Sequence, residues 1–274
     1  MQKYDFFKTG TKITLLSLTT FAMTAFAAKP PEKIMHAKTY TTSEGFTIQY
    51  RIHIPEITNT LEKIPAILFL HGAGERGDNN LSQLKHGVPQ LLDYIINNNH
   101  PAVLIAPQCP NGTSWANISR LKESCKMPDE PSKPLQAVIE MFEKEISAAP
   151  VDRLRLYITG LSMGGYGSWD FMQRFPEKFA AGMPICGGGD VSLAPRLVNI
   201  PIHVVHGEKD TVVPVTRSQE MVEAIRSAGG KNVTYKEREG EGHGVWDPTY
   251  KDFSNIDWMF AQKKENQDDP AKKE

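Results

Sequence analysis

Four apolar runs, at residues 64–70, 102–106, 154–158 and 200–205, constrain this chain more than any other feature. A strand that is apolar on both sides must be covered on both sides, which is the condition of a parallel strand inside a sheet flanked by helices. Helix-like stretches lie between and after the runs, at residues 88–98, 134–147, 162–174 and 216–228. Shorter strands are expected at 180–185 and 233–238, with a closing helix at 255–262. Residues 46–54 instead alternate apolar and polar, the pattern of a half-buried strand, and are expected to form an antiparallel hairpin with 37–42. The alternation predicts an α/β fold: a mostly parallel central sheet with an antiparallel N-terminal hairpin and helices on both faces.

The third apolar run leads into Gly160-Leu161-Ser162-Met163-Gly164-Gly165 and then into a helical pattern. A serine between small residues at a strand-to-helix turn is the arrangement of a nucleophile elbow, in which tight backbone packing holds the hydroxyl out in front of the sheet. A serine hydroxyl is a weak nucleophile without a base, and the base needs a carboxylate to fix its tautomer. Asp210, in the loop after the 200–205 run, and His243, after the strand at 233–238, supply these groups beyond strand ends, where an open α/β sheet binds its ligands. Glu208 and Asp190 are rival carboxylates, and His206 is a rival base whose place before a glycine at a strand end suits packing better. The loop His71-Gly72-Ala73-Gly74, at the end of the first run, can turn N–H groups toward a developing oxyanion. One donor is assigned to Ala73 or Gly74 and the other to Met163. His71 is read as a brace for that loop, Arg76 and Asp78 as a loop-closing charge pair, and Trp115 and Trp246 as substrate contacts.

The formal net charge of -1 leaves no broad field to hold nucleic acid or an anionic membrane surface. Lys3, Lys8 and Lys12 precede a mildly apolar run at 13–26 closed by Ala25-Phe26-Ala27, the grammar of a signal peptide. Residues 1–28 are therefore expected to be removed near Ala27 or Ala28, giving a periplasmic or secreted protein with no stable membrane anchor. The folded domain is expected over 29–262, with a disordered polar tail at 263–274. Of the three cysteines, Cys109 and Cys125 flank a loop that a disulfide would staple in an oxidising compartment. Cys186 reads as a small buried residue.

The strings LFLHGAGERGD, APQCP, ITGLSMGGYGSWD, PICGGGD, VHGEKDTVVP and GHGVWDP, in this order between Ile64 and Trp258, resemble bacterial α/β-hydrolases of the predicted-peptidase or putative-esterase group. That group is related to phospholipase/carboxylesterases, dienelactone hydrolases and feruloyl-esterase-like enzymes. The resemblance implies the α/β-hydrolase fold and a triad of Ser162, Asp210 and His243; a hydrolase of this kind is expected to use neither metal nor organic cofactor. Dienelactone hydrolases carry cysteine where this chain has Ser162, and only the short segment from Met35 to Glu62 stands where prolyl-oligopeptidase relatives carry a propeller. The expected activity is therefore cleavage of small-molecule or polymer-borne carboxylic esters. A serine peptidase, a feruloyl or acetyl esterase of plant walls, and a non-catalytic binding module on the same scaffold are the alternatives.

Overall fold

In a computed structural model the structure describes residues 29–56, 62–118 and 125–265. A short helix α1 (Pro31–Ile34) precedes the hairpin strands β1 (His36–Thr41) and β2 (Thr47–His53). Then follow β3 (Ile64–Leu70), α2 (Val88–Asn97), β4 (Val103–Gln108), α3 (Lys133–Ala148), β5 (Val151–Leu161), α4 (Met163–Arg174) and β6 (Ala181–Ile185). The chain closes with β7 (Ile202–Gly207), α5 (Thr216–Ser227), β8 (Val233–Arg238), α6 (Trp246–Lys251) and α7 (Ser254–Phe260). The strands form one 8-stranded sheet in the order β1-β2-β4-β3-β5-β6-β7-β8. Strand β2 is antiparallel to both of its neighbours and every other pairing is parallel, so the mostly parallel sheet with an antiparallel start is the observed one.

Strands β3, β4, β5 and β7 each feed two cores. Ala66, Leu68 and Leu70 of β3 point into the core under α3, α4 and α5, with Phe142, Trp169 and Met221. Ile67 and Phe69 point into the opposite core with Leu91, Tyr250 and Met259. The period of two along a strand therefore explains why β3 is apolar throughout: both of its faces are interior. By contrast β2 alternates buried and part-exposed residues, as its pattern requires.

Strand β3 has β4 on one side and β5 on the other, so the chain steps outward from β3 to β4 and then back across β3 to β5. The loops after β3 and β5 thus meet at the point where the strand order reverses, the crevice in which such sheets place a site. Strand β5 begins at Val151, earlier than its apolar run, because Val151 pairs with Ile64 across an irregular register. Helix α6 is too short to leave a periodic signal. Just beyond Gln262, Lys264 N–H donates to Leu154 O and its Nζ donates to the carbonyls of Glu177 and Lys178. The expected leader at 1–28 and residues 266–274 of the expected tail lie outside the described residues. Among the described residues no helix is long and apolar enough to cross a membrane.

Helix α4 crosses the sheet so closely that a Cβ on Gly164 would lie 1.8 Å from Leu70 O, whereas one on Gly244 would meet nothing within 4 Å. Gly164→Ala is expected to lower the unfolding free energy by more than about 3 kcal/mol or prevent folding, and Gly244→Ala to change it by less than about 0.5 kcal/mol. Urea denaturation of the two variants checks this contrast.

Candidate active site

Strand β5 ends in a backbone that few residues adopt. Ser162 has φ 53° and ψ -114°, a left-handed value for a residue that is not glycine, and its N–H donates to Ile185 O at 2.8 Å. Such a conformation is costly and persists only where packing over-determines it. Here the packing comes from glycines. A Cβ on Gly160 would sit 2.5 Å from Gly164 O, and one on Gly165 would sit 2.5 Å from Ile185 O. The turn between β5 and α4 is consequently sharp, and Ser162 stands at its apex.

Two further strand-end loops converge on it. After β7, Asp210 Oδ1 accepts from the N–H groups of Val212 (2.8 Å) and Val213 (2.9 Å). After β8, His243 is brought over by close packing of the two loops: Lys209 N–H donates to Glu241 O at 2.8 Å, and a Cβ on Gly207 would lie 2.2 Å from Gly242 O. His243 Nδ1 lies 2.6 Å from Asp210 Oδ2, and its Nε2 lies 2.9 Å from Ser162 Oγ. A carboxylate can only accept, so Nδ1 carries a proton; in the neutral imidazole this leaves Nε2 to accept from Ser162 Oγ–H. Burial pushes the Asp210 carboxyl up, but hydrogen bonds from His206, His243 and the N–H groups of Val213 and Val212 outweigh it and hold the group well below the usual carboxylate range. Asp210 is therefore ionised at physiological pH.

The rival groups are committed elsewhere. Glu208 Oε2 accepts from Gly240 N–H, and Asp190 caps a 3-10 helix at Val191–Leu197 through Ser192 N–H. His206 does not approach Ser162 in the manner of a base; it is fully buried, with Nε2 3.2 Å from Asp210 Oδ2.

On the other side of Ser162, a 3-10 turn at Ala73–Glu75 follows Gly72. Its first internal hydrogen bond runs from Glu75 N–H to Gly72 O, so the turn itself gives the N–H groups of Ala73 and Gly74 no acceptor. Met163 is the first residue of α4, and first-turn N–H groups have no partner within a helix. His71 braces this turn: its Nδ1–H donates to Gly72 O at 2.6 Å and its Nε2 accepts from Cys109 N–H at 2.8 Å. Burial lowers the His71 pKa to about 4, with its bond to Gly72 opposing, so the imidazole is neutral at physiological pH.

Three expectations need correction. Trp115 is fully buried, donates Nε1–H to His71 O at 3.0 Å and packs at Gly167, so it supports the loop from behind and has no face for a substrate. Trp246 is only part-buried and stands edge-on to His243 with ring centres 5.0 Å apart. Cys109, Cys125 and Cys186 are all free, buried thiols. Cys109 Sγ lies 3.2 Å from Thr113 Oγ1, while Cys125 packs with Ile118, Tyr166 and Val213, so the expected Cys109–Cys125 bridge is not formed. Arg76 and Asp78 form no ion pair either; Arg76 faces the Cys109 thiol instead.

Reasoning from the sequence missed two neighbours of the site. Cys186 Sγ lies 3.5 Å from His243 O, and Cys186, Asp210 and His243 hold possible metal-ligand atoms within 4.8 Å of one another. Asp210 and His243 already bind each other there, and burial pushes the Cys186 thiol far up. His86 lies between Asp247, at 3.3 Å, and Glu75, at 3.9 Å, linking α6 to the 3-10 turn.

The chain belongs to the phospholipase/carboxylesterase family, whose model matches residues 54–256. A solved thermostable esterase is 42% identical, with a TM-score of 0.79 over 85% of this chain and 64% of that one. The bifunctional acetylxylan esterase/xylanase XynS20E of Neocallimastix patriciarum is 28% identical over 163 residues, 59% of this chain and 22% of that protein. A ferulic acid esterase, 18% identical, shares the fold with a TM-score of 0.62 over 82% of this chain and 97% of its own. This chain therefore spans less than a quarter of the acetylxylan esterase/xylanase and about two thirds of the thermostable esterase.

Two measurements follow from the buried groups. All 3 thiols should titrate in denaturant without reductant, and none should react rapidly in the native protein; a bridge would leave a single thiol to titrate. His71 titrates near 6.5 when unfolded but near 4 when folded, so the denatured chain takes up that proton first and stability falls as pH drops through this window. His71→Asn should flatten the loss of urea stability between these two pH values.

Proposed function

We propose that the protein is a serine carboxylic-ester hydrolase, acting after export and removal of its leader, that works through an acyl-enzyme. The observation that carries this reading is the hydrogen-bonded line from Asp210 through His243 to Ser162, at 2.6 and 2.9 Å, on a strained elbow. Membership of the phospholipase/carboxylesterase family and the likeness to the thermostable esterase support it.

In this reading His243 Nε2 takes the Ser162 hydroxyl proton as Oγ attacks the ester carbonyl carbon. The carbonyl π pair moves to oxygen, and the oxyanion accepts from Met163 N–H and from the N–H of Ala73 or Gly74. Asp210 stabilises the imidazolium that forms. The tetrahedral intermediate then collapses, the C–O bond to the alcohol breaks, and His243 passes its proton to the departing alkoxide. A water repeats the sequence: His243 takes its proton, the hydroxide oxygen attacks the acyl carbon, and Ser162 Oγ leaves and recovers the proton. Trp246, beside His243, is a wall of the site against which the alcohol or acyl part packs. Among candidate esters, acetyl groups on a polysaccharide are the first to try, because the relative from Neocallimastix patriciarum is named for acetylxylan.

Ser162→Ala should lower kcat/KM on short-chain p-nitrophenyl esters by about ten-thousand-fold and abolish fluorophosphonate labelling. Full turnover by that variant would sink the mechanism. Acetylated xylan, methyl ferulate and aminoacyl amides, run side by side, separate acetyl, aromatic and peptide substrates; cleavage of the amides alone would contradict an esterase.

A further inference from the structure

Three donors hydrogen-bond the Asp210 carboxylate and a fourth lies beside it. Val212 and Val213 N–H supply two at Oδ1, and His243 supplies the third at Oδ2. The fourth is His206, the penultimate residue of β7, which has no place in the sequence of steps above. Its Nε2 lies 3.2 Å from Asp210 Oδ2 and 3.1 Å from Val213 O. Both of these atoms are acceptors, so His206 Nε2 must carry a proton. Its Nδ1 lies 2.7 Å from Ser218 Oγ, and Ser218 Oγ lies 3.0 Å from Gly187 O. The single hydroxyl proton of Ser218 goes to one of them. If it points to Nδ1, His206 is neutral; if it points to Gly187 O, Nδ1 must also be protonated. In either state the single Nε2–H is shared between Val213 O, at 3.1 Å, and Asp210 Oδ2, at 3.2 Å.

We propose that His206 is a positioning residue for the general base: it donates Nε2–H to the same Asp210 oxygen that receives His243 Nδ1–H, fixing that carboxylate and setting how much of its charge reaches His243. This rests on the reading of Ser162, Asp210 and His243 as a catalytic triad. The oxygen between the two histidines shares its charge between two N–H donors. Removing one donor concentrates that charge on His243, which then holds a proton more tightly and becomes a free base only at higher pH. Few other charged groups face this pair. Cys186 looks onto Asp210 from the end of β6, as a thiol that burial keeps protonated. Glu237 is the partner of His206 across β8 and the one carboxylate on that strand to which its charge is coupled. Helix α5 contributes the neutral Ser218.

The test is the pH profile of kcat/KM on p-nitrophenyl acetate for His206→Leu, His206→Asn and His206→Gln, with wild type alongside. Glutamine places an N–H near the position of Nε2, leucine has none, and asparagine reaches only toward Ser218. His206→Leu and His206→Asn should lower kcat/KM by about tenfold and move the acid limb up by about one pH unit, while His206→Gln should restore the wild-type limb and most of the rate. Fluorophosphonate labelling of Ser162 in every variant reports whether the elbow is intact. A fall in rate with an unmoved acid limb in a folded, labelled variant overturns the proposal, because a residue that only packs changes the rate without shifting the titration. A nitrogen-15 histidine spectrum of the wild-type protein needs no variant to fold. His206 Nε2 should bear a proton throughout the stable pH range, and a bare Nε2 overturns the proposal. Failure of wild type to label at Ser162 would instead overturn the triad reading, a result these outcomes do not mimic.

Discussion

The backbone of Ser162 is the constraint on which the rest of the structure depends. Its left-handed φ of 53° is tolerated because β5 and α4 are pressed together at Gly160, Gly164 and Gly165, where no side chain fits. That closeness requires β3 to lie beside β5, since Leu70 O is the atom that a Cβ on Gly164 would strike. It also brings the loops after β3 and β5 to the same crevice. The strain at the elbow and the order of the strands are thus two descriptions of one packing arrangement. The cost is local, and the two cores on either face of the sheet hold the arrangement in place.

Asp210 plays the corresponding part for charge. A buried carboxylate is unfavourable unless its oxygens are satisfied, and here backbone N–H groups and two imidazoles satisfy them. The negative charge so held lies behind His243, on the side of the ring away from Ser162. Around that turn the polar groups are arranged differently. His71 is neutral and ties the turn to Cys109, and Trp115 closes the space behind it. One side of Ser162 thus carries the Asp210 carboxylate and His243, and the other carries the backbone N–H groups of the turn after β3.

Much of this was legible in the sequence because the signals were local. Apolar runs, the glycines around Ser162 and the chain order of Ser162, Asp210 and His243 each depend on neighbours in sequence, and the structure brings those three residues within hydrogen-bonding distance. The bounds of β8, Val233–Arg238, coincide with its pattern. What stayed hidden depends on three-dimensional placement. Trp115 in a loop reads as a substrate contact, and only its docking under His71 shows it to be core. Spacing between Cys109 and Cys125 suggests a bridge, yet the two thiols belong to different clusters. His206 lies four residues before Asp210, but its ring reaches that carboxylate only because the loop after β7 folds back through a turn closed by Asp210 N–H on Gly207 O.

The central claim is that Ser162 forms the covalent bond to the acyl group. It is tested most directly by mixing the protein with p-nitrophenyl acetate, quenching in acid during the first turnovers, and locating the acyl group by peptide mass spectrometry. The account expects a burst of nitrophenol matched by acetyl on the peptide containing Ser162, vanishing as substrate is exhausted. Acetyl on another residue, or a burst with Ser162 unmodified, would contradict it.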